Sequence, residues 1–218
     1  MTVHTNSGLK LYMESAIAAA KTLTAITNAN PGVISSTAHG YSNGDIVLLE
    51  VQGMSELQGR LFKVVSVATD SFRIADIDGS AGIDTTLFGI FSAGTAKKVT
   101  LGTTINGVKE FSPAGGGMKT VDTTEVSDTQ DTEVVVGASA QSYDLTMKWN
   151  PGDAAQQAMK RAFVNRANKG FKILWPSGAY VLFYGTVGYT GAPGGSNQGL
   201  TTAPAKISMA GALTEYAA

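Results

Sequence analysis

The sequence predicts a mainly β protein: a β-sandwich or barrel with one packed α-helix and a long hairpin, plus an inserted small all-β barrel. Three observations predict it. Short β-like runs alternate with Gly, Asn and Ser turn clusters along most of the chain. A single segment, around residues 153–169, carries apolar residues at helical spacing. A stretch rich in Thr and Val, Met118–Val136, reads as two extended strands joined across Ser127–Gln130.

In chain order, Gly8–Glu14 alternates Leu9, Leu11 and Met13 with Lys10 and Tyr12, a strand pattern. Ser15–Lys21 is Ala-rich and suits one or two helical turns or a joint. From Thr22 to Ala96, short runs at Val33–Ser36, Asp45–Val51, Leu61–Ala68, Phe72–Asp78 and Phe88–Phe91 are separated by turn signals such as Asn43-Gly44 and Asp78-Gly79. The expected organisation is therefore a discontinuous core domain, 1–21 and 97–218, interrupted by a β-barrel module at 22–96. Val99–Phe111 surrounds Asn106-Gly107, a strong hairpin signal. Pro113–Gly117 reads as a Gly-rich loop. In Tyr143–Trp149 the residues Tyr143, Leu145, Met147 and Trp149 share one face.

The helix is expected from Asp153, as N-cap with Gln156 three residues on, to Lys169, with Gly170 turning the chain out. Its packing stripe is Ala155, Met159, Ala162 and Phe163. Phe171–Trp175 and Tyr180–Val187 form a hairpin across Pro176-Ser177-Gly178, and Ala205–Leu213 supplies the last strand.

Charged residues are only 15% of the chain and glycines number 26 of 218, so few like charges repel an approaching copy. That composition suits a protein that buries its exterior against neighbours. A net charge of −1 without a basic stripe argues against specific nucleic-acid binding. With no cysteine there is neither a disulfide nor a thiolate metal site. The polar N-terminus carries no signal-peptide pattern and no apolar run approaches a bilayer span, so the expectation is a soluble protein folded in a cytoplasm, with no membrane partner.

Four patterns imitate catalytic or binding chemistry. Gly40-Tyr41-Ser42-Asn43-Gly44 matches G-x-S-x-G, but a strand rather than a helix follows and no histidine lies downstream of His39. Gly115-Gly116-Gly117-Met118-Lys119-Thr120 has Met where a phosphate-binding loop needs glycine before its lysine, so it reads as a connector. His4 and His39 alone do not make a metal site, and no cofactor is expected. The acids Asp122, Glu125, Asp128, Asp131 and Glu133 cluster in one segment without aromatics. A solvated acidic hairpin, or a strip that must not adhere to a passing polyanion, accounts for them better than a glycosidase-type carboxylate pair.

Several ordered segments resemble the tail tube proteins of long-tailed, siphovirus-type phages. Thr120–Asp128 (TVDTTEVSD) is similar to that family's D-x-T-x-(x)-S-D strand and loop. Tyr143–Asp153 (YDLTMKWNPGD) resembles its strand leading into an N-P-x-D helix start. Phe171–Gly178 (FKILWPSG), with Phe183 and Gly185, resembles its hairpin. Within the insert, Thr37–Asp45, Gly53–Arg60 and Phe72–Asp78 resemble a small module recurrent in phage virion proteins.

The resemblance implies a structural, non-enzymatic virion protein, made in the host cytoplasm, whose hexameric rings stack into a tube. Strands from every subunit join one barrel, and the helix packs outside it. The hairpin loop reaches the next ring, and DNA passes through the lumen without specific binding. Tape measure, tail terminator and tail-tip proteins are the implied partners. Asp122, Glu125, Asp128, Asp131 and Glu133 are the candidates for the lumen or ring interface. The insert is expected to project outward as a decoration whose deletion leaves tubes intact. The rival readings are another virion component (tail-tip, connector or decoration protein), a carbohydrate-binding or adhesive β protein and, last, a hydrolase.

Overall fold

The computed structural model describes residues 7–79, 82–125 and 129–217. The first strands are β1 (Lys10–Met13), β2 (Ala16–Ile17), β3 (Lys21–Leu23), β4 (Ala25–Ile26), β5 (Ile34–Ser35) and β6 (Ile46–Gln52). Then come β7 (Arg60–Val65), β8 (Ser71–Ile74), β9 (Ala93–Thr100), β10 (Thr103–Ile105), β11 (Val108–Ala114), β12 (Met118–Asp122) and β13 (Glu133–Ala138). After β14 (Ser142–Lys148) comes helix α1 (Ala154–Val164). The chain ends with β15 (Asn168–Leu174), β16 (Tyr180–Gly188), β17 (Thr202–Met209) and β18 (Thr214–Tyr216).

One eight-stranded sheet runs β10-β1-β15-β16-β17-β14-β11, with β18 also beside β16. Asn106-Gly107, with Gly107 at φ +72°, does not join a hairpin, as its sequence suggests. It carries the chain from edge strand β10 to the opposite edge strand β11, so the sheet curls until its two edges are neighbours. The interior holds Leu11, Met13, Leu145, Met147, Ile173 and Ile207, with Phe171 and Phe183 stacked at 5.3 Å between centroids.

Helix α1 covers part of this interior with Ala155, Met159 and Ala162. Asp153 caps it, accepting from the amides of Ala155 and Gln156. Gln156 does not close a capping box. Its side chain is buried, accepts from Asn150 N and Tyr189 Oη, and donates to Lys148 O, tying the helix start to β14. The helix ends at Val164, five residues before the expected Lys169. Arg166 turns left-handed at φ +51°, and the Ala167 and Arg166 amides donate to Ala162 O and Phe163 O, a Schellman closure. Phe163, expected on the packed stripe, is 41% exposed: it flanks the stripe in the last turn, and Gln156 takes the buried place on that side.

The second sheet runs β2-β9-β6-β7-β8-β5-β4, with β3 also on β9. Lys21–Ile26 pairs β9 through β3 and β5 through β4, so the sheet returns on itself as a small barrel around Val47, Leu49, Phe62 and Phe72. Ser15–Lys21 forms no helical turn, because β2 and β3 are drawn onto β9. Phe88–Phe91 is not a strand; its carbonyls at Phe88 and Gly89 instead accept from Asn28 Nδ2. This sheet reaches Ala16 and Thr100, beyond the expected module limits at 22 and 96.

The two sheets share a core. Residues of β16 alternate between layers: Val181 and Phe183 enter the first interior, while Leu182 packs with Leu48, Leu61, Val99 and Tyr216 against the small barrel. A strand buried on both faces explains its continuous apolar run. The Arg60 guanidinium donates to Leu213 O at 3.0 Å and Thr214 Oγ1 at 3.2 Å, and Tyr216 Oη accepts from Lys63 N at 2.9 Å. Burial pushes the Tyr216 phenol well up from its ordinary value. The expected single last strand breaks after Met209, and at Gly211 a Cβ would lie 2.9 Å from Gln58 O and Gly59 O. Past that break Thr214 is buried. At the other end of the seam, buried Glu14 accepts from Lys169 Nζ at 2.8 Å and Gly170 N at 3.1 Å.

Leu182→Ala should cost about 2–5 kcal/mol in urea unfolding, because it opens a cavity between the layers. Deleting residues 22–96 with a Gly-Ser bridge removes half of β9 together with Leu48 and Leu61, and bares Leu182 and Tyr216. That shortened chain is expected to aggregate, and a sharp cooperative melt with monomeric elution would contradict the shared packing.

Candidate assembly surface

Strands β12 and β13 pair only with each other, a two-stranded ribbon outside both sheets. They continue the paired strands β11 and β14, so β11–β12 and β13–β14 are the two arms of one long hairpin with a bend in it. The bend lies at Gly115–Gly117 and Ser139–Gln141. Gly115 sits at φ +80°, and a Cβ there would lie 2.0 Å from Ala140 O; Gly116 is at φ +81°. The Ser139 amide donates to Gly117 O at 2.8 Å, holding the two chains together across the bend. What reads as a loose connector is thus a joint that a side chain at Gly115 cannot enter.

Beyond the joint every ribbon residue is exposed. Cross-strand partners share a face. Thr120 and Val135 lie on one face, Val121 and Val134 on the other. Val134, Val135 and Val136 are 53%, 57% and 60% exposed, and Met118 is 76% exposed. Three successive valines are what a strand covered on both faces requires, and here neither face is covered. A two-stranded ribbon is at best marginally stable in water, and its outer edges present unpaired backbone groups.

The expected acids sit at the ribbon's far end. Asp122 lies directly opposite Glu133, an unfavourable like-charge pair. Hydrogen bonds from the Thr124 hydroxyl and amide hold the Asp122 carboxyl below its ordinary value. Glu125 and Asp131 follow in the exposed turn region, and Asp128 lies outside the described residues. Lys119 is set back toward the joint, opposite Gly137. The carboxylates stand on an open ribbon and frame no cleft for a substrate. The helix-packing candidates are elsewhere, Ala155, Met159 and Ala162 under α1 and Phe163 on its flank. The missed residues are the ribbon valines, signalled only by a run that does not alternate.

His39 is buried in the small barrel, accepting from Tyr41 N and contacting Ala68 O, while Tyr41 Oη donates to Ala96 O. The G-x-S-x-G segment is therefore an exposed turn, with Ser42 on the surface, anchored to that core by buried Tyr41. Among the described residues no group of three or more His, Asp or Glu could hold a metal. No described helix is long and apolar enough to cross a membrane.

A family model described as phage tail tube protein matches residues 52–218. Two solved structures are similar over part of the chain. The virion of a native gene transfer agent particle aligns at 21% identity, over 52% of this chain and 88% of that one, with a TM-score of 0.41. The tail of an empty gene transfer agent particle with C6 symmetry aligns at 20% identity, over 54% and 88%, with a TM-score of 0.42. No match is found among curated proteins.

Gly115→Ala should displace the ribbon while leaving both sheets folded. The expected result is an unchanged thermal melt with at least tenfold fewer assemblies in sedimentation. Normal assembly would show that the joint tolerates a side chain.

Proposed function

The chain belongs to the phage tail tube protein family and is a structural, tube-forming protein of the virion tail; on that premise we propose how its parts build the tube. Copies close into hexameric rings, and the rings stack. Each copy contributes its β12–β13 ribbon to a common β-barrel around the channel, which satisfies the ribbon's edges and covers its valines. The curled first sheet with α1 forms the wall, and the small barrel forms an outer layer fused to it. Some of the candidates Asp122, Glu125, Asp128, Asp131 and Glu133 face the lumen or the neighbouring ring, and a like-charged lumen lets DNA slide past without the counterion release that drives binding. Tape measure, tail terminator and tail-tip proteins meet the tube inside and at its two ends.

The observation that carries this reading is the ribbon with valines bare on both faces. Val134→Asp combined with Val135→Asp places one charge on each face. Because both positions are exposed, the monomer's stability should change by no more than about 0.5 kcal/mol, while negative-stain microscopy should show tubes lost. Long hollow tubes from the double variant would contradict the proposal.

A further inference from the structure

Resting on the tube reading, we infer that the acidic tip of the ribbon docks on the cationic outer face of helix α1 in the next copy along the tube. Helix α1 contains no acidic residue, and its exposed side carries Lys160 and Arg161, followed by Arg166 just past its end. None of these three takes part in an ion pair among the described residues. Between them Phe163 and Val164 are exposed apolar groups. Opposite charge and a similar apolar component occur together at the ribbon: Asp122, Asp131 and Glu133 at the tip, and Val121 and Val134 just behind them.

Topology places the two surfaces apart within one copy. The registers Asn168↔Thr186, Thr186↔Ser208 and Ser142↔Ser208 set the cationic C-terminal end of α1 level with the Ser142 end of β14, where the ribbon departs. The five residues of β12 then carry the acids about 17 Å past the joint at 3.3 Å per residue. A cationic patch at the ribbon's base and an acidic one at its far tip fit a head-to-tail contact between copies, which repeats without limit along an axis. A cation from the neighbour also relieves the repulsion between Asp122 and Glu133, which have no cationic partner of their own among the described ion pairs.

The test uses the full chain in three forms. One carries Asp122→Lys, Asp131→Lys and Glu133→Lys; one carries Lys160→Glu, Arg161→Glu and Arg166→Glu; the third carries all six. Each is checked for an unchanged thermal melt, and its tubes are counted at low salt by microscopy and sedimentation. Each triple change should lower tube yield about tenfold, as a few partly exposed ion pairs allow, and the combined form should recover most of it. Wild-type yield should also fall as sodium chloride rises. A combined form no better than the worse triple variant, with normal wild-type tubes, overturns the docking site and leaves the tube reading intact. Wild-type protein that never forms tubes overturns both. Should a variant misfold, the Asn and Gln versions of the acids answer the same question: unchanged yield and no salt dependence overturn the contact.

Discussion

An unpaired β-ribbon with apolar side chains on both faces cannot remain alone in water without penalty, and the rest of this architecture follows from that constraint. Burial of apolar surface contributes roughly 25 cal/mol per Å². Val134, Val135 and Val136 withhold that contribution until another surface covers them. The outer edges of β12 and β13 add unpaired amides and carbonyls, which only another strand or water can satisfy. A single copy offers neither cover nor strand among its described residues, whereas the proposed ring of identical copies supplies both.

Holding such a ribbon requires a stiff base. The curled sheet supplies it through an interior of aliphatic and aromatic side chains, and α1 closes part of that interior from outside. The small barrel adds a second layer behind β16, bonded through Arg60 and Tyr216 at one end of the seam, while Glu14 holds Lys169 and Gly170 at the other. Burial of Leu182 among Leu48, Leu61, Val99 and Tyr216 packs the small barrel directly on the curled sheet. The glycine joint at 115–117 then sets the angle at which the ribbon departs.

Much of this could be read from residues alone, because local chemistry governs it. Alternation in Tyr143–Met147 and the turn at Pro176–Gly178 specify strands whatever their partners. Asp153 marks the helix start through a short-range hydrogen bond. Long-range choices were hidden. Asn106-Gly107 has hairpin chemistry, yet the strands it joins pair with β1 and β14 instead of each other. Arg166 ends the helix in a conformation that favours glycine, which no residue preference announces. The last strand breaks after Met209, and at Gly211 the carbonyls of Gln58 and Gly59, far away in sequence, leave no room for a side chain. The acid cluster and the hairpin that carries it were legible, but the register that sets Asp122 opposite Glu133 depends on pairing that composition does not encode.

Hydrogen–deuterium exchange of residues 118–138, compared between dispersed protein and sedimented assemblies, tests the central claim most directly. Amides on the outer edges of β12 and β13 should exchange rapidly in the dispersed chain and become strongly protected once copies assemble, while the interior of the curled sheet stays protected in both. Equal exchange of the ribbon in the two samples would contradict the account, since the strands would then have found no partners in neighbouring copies.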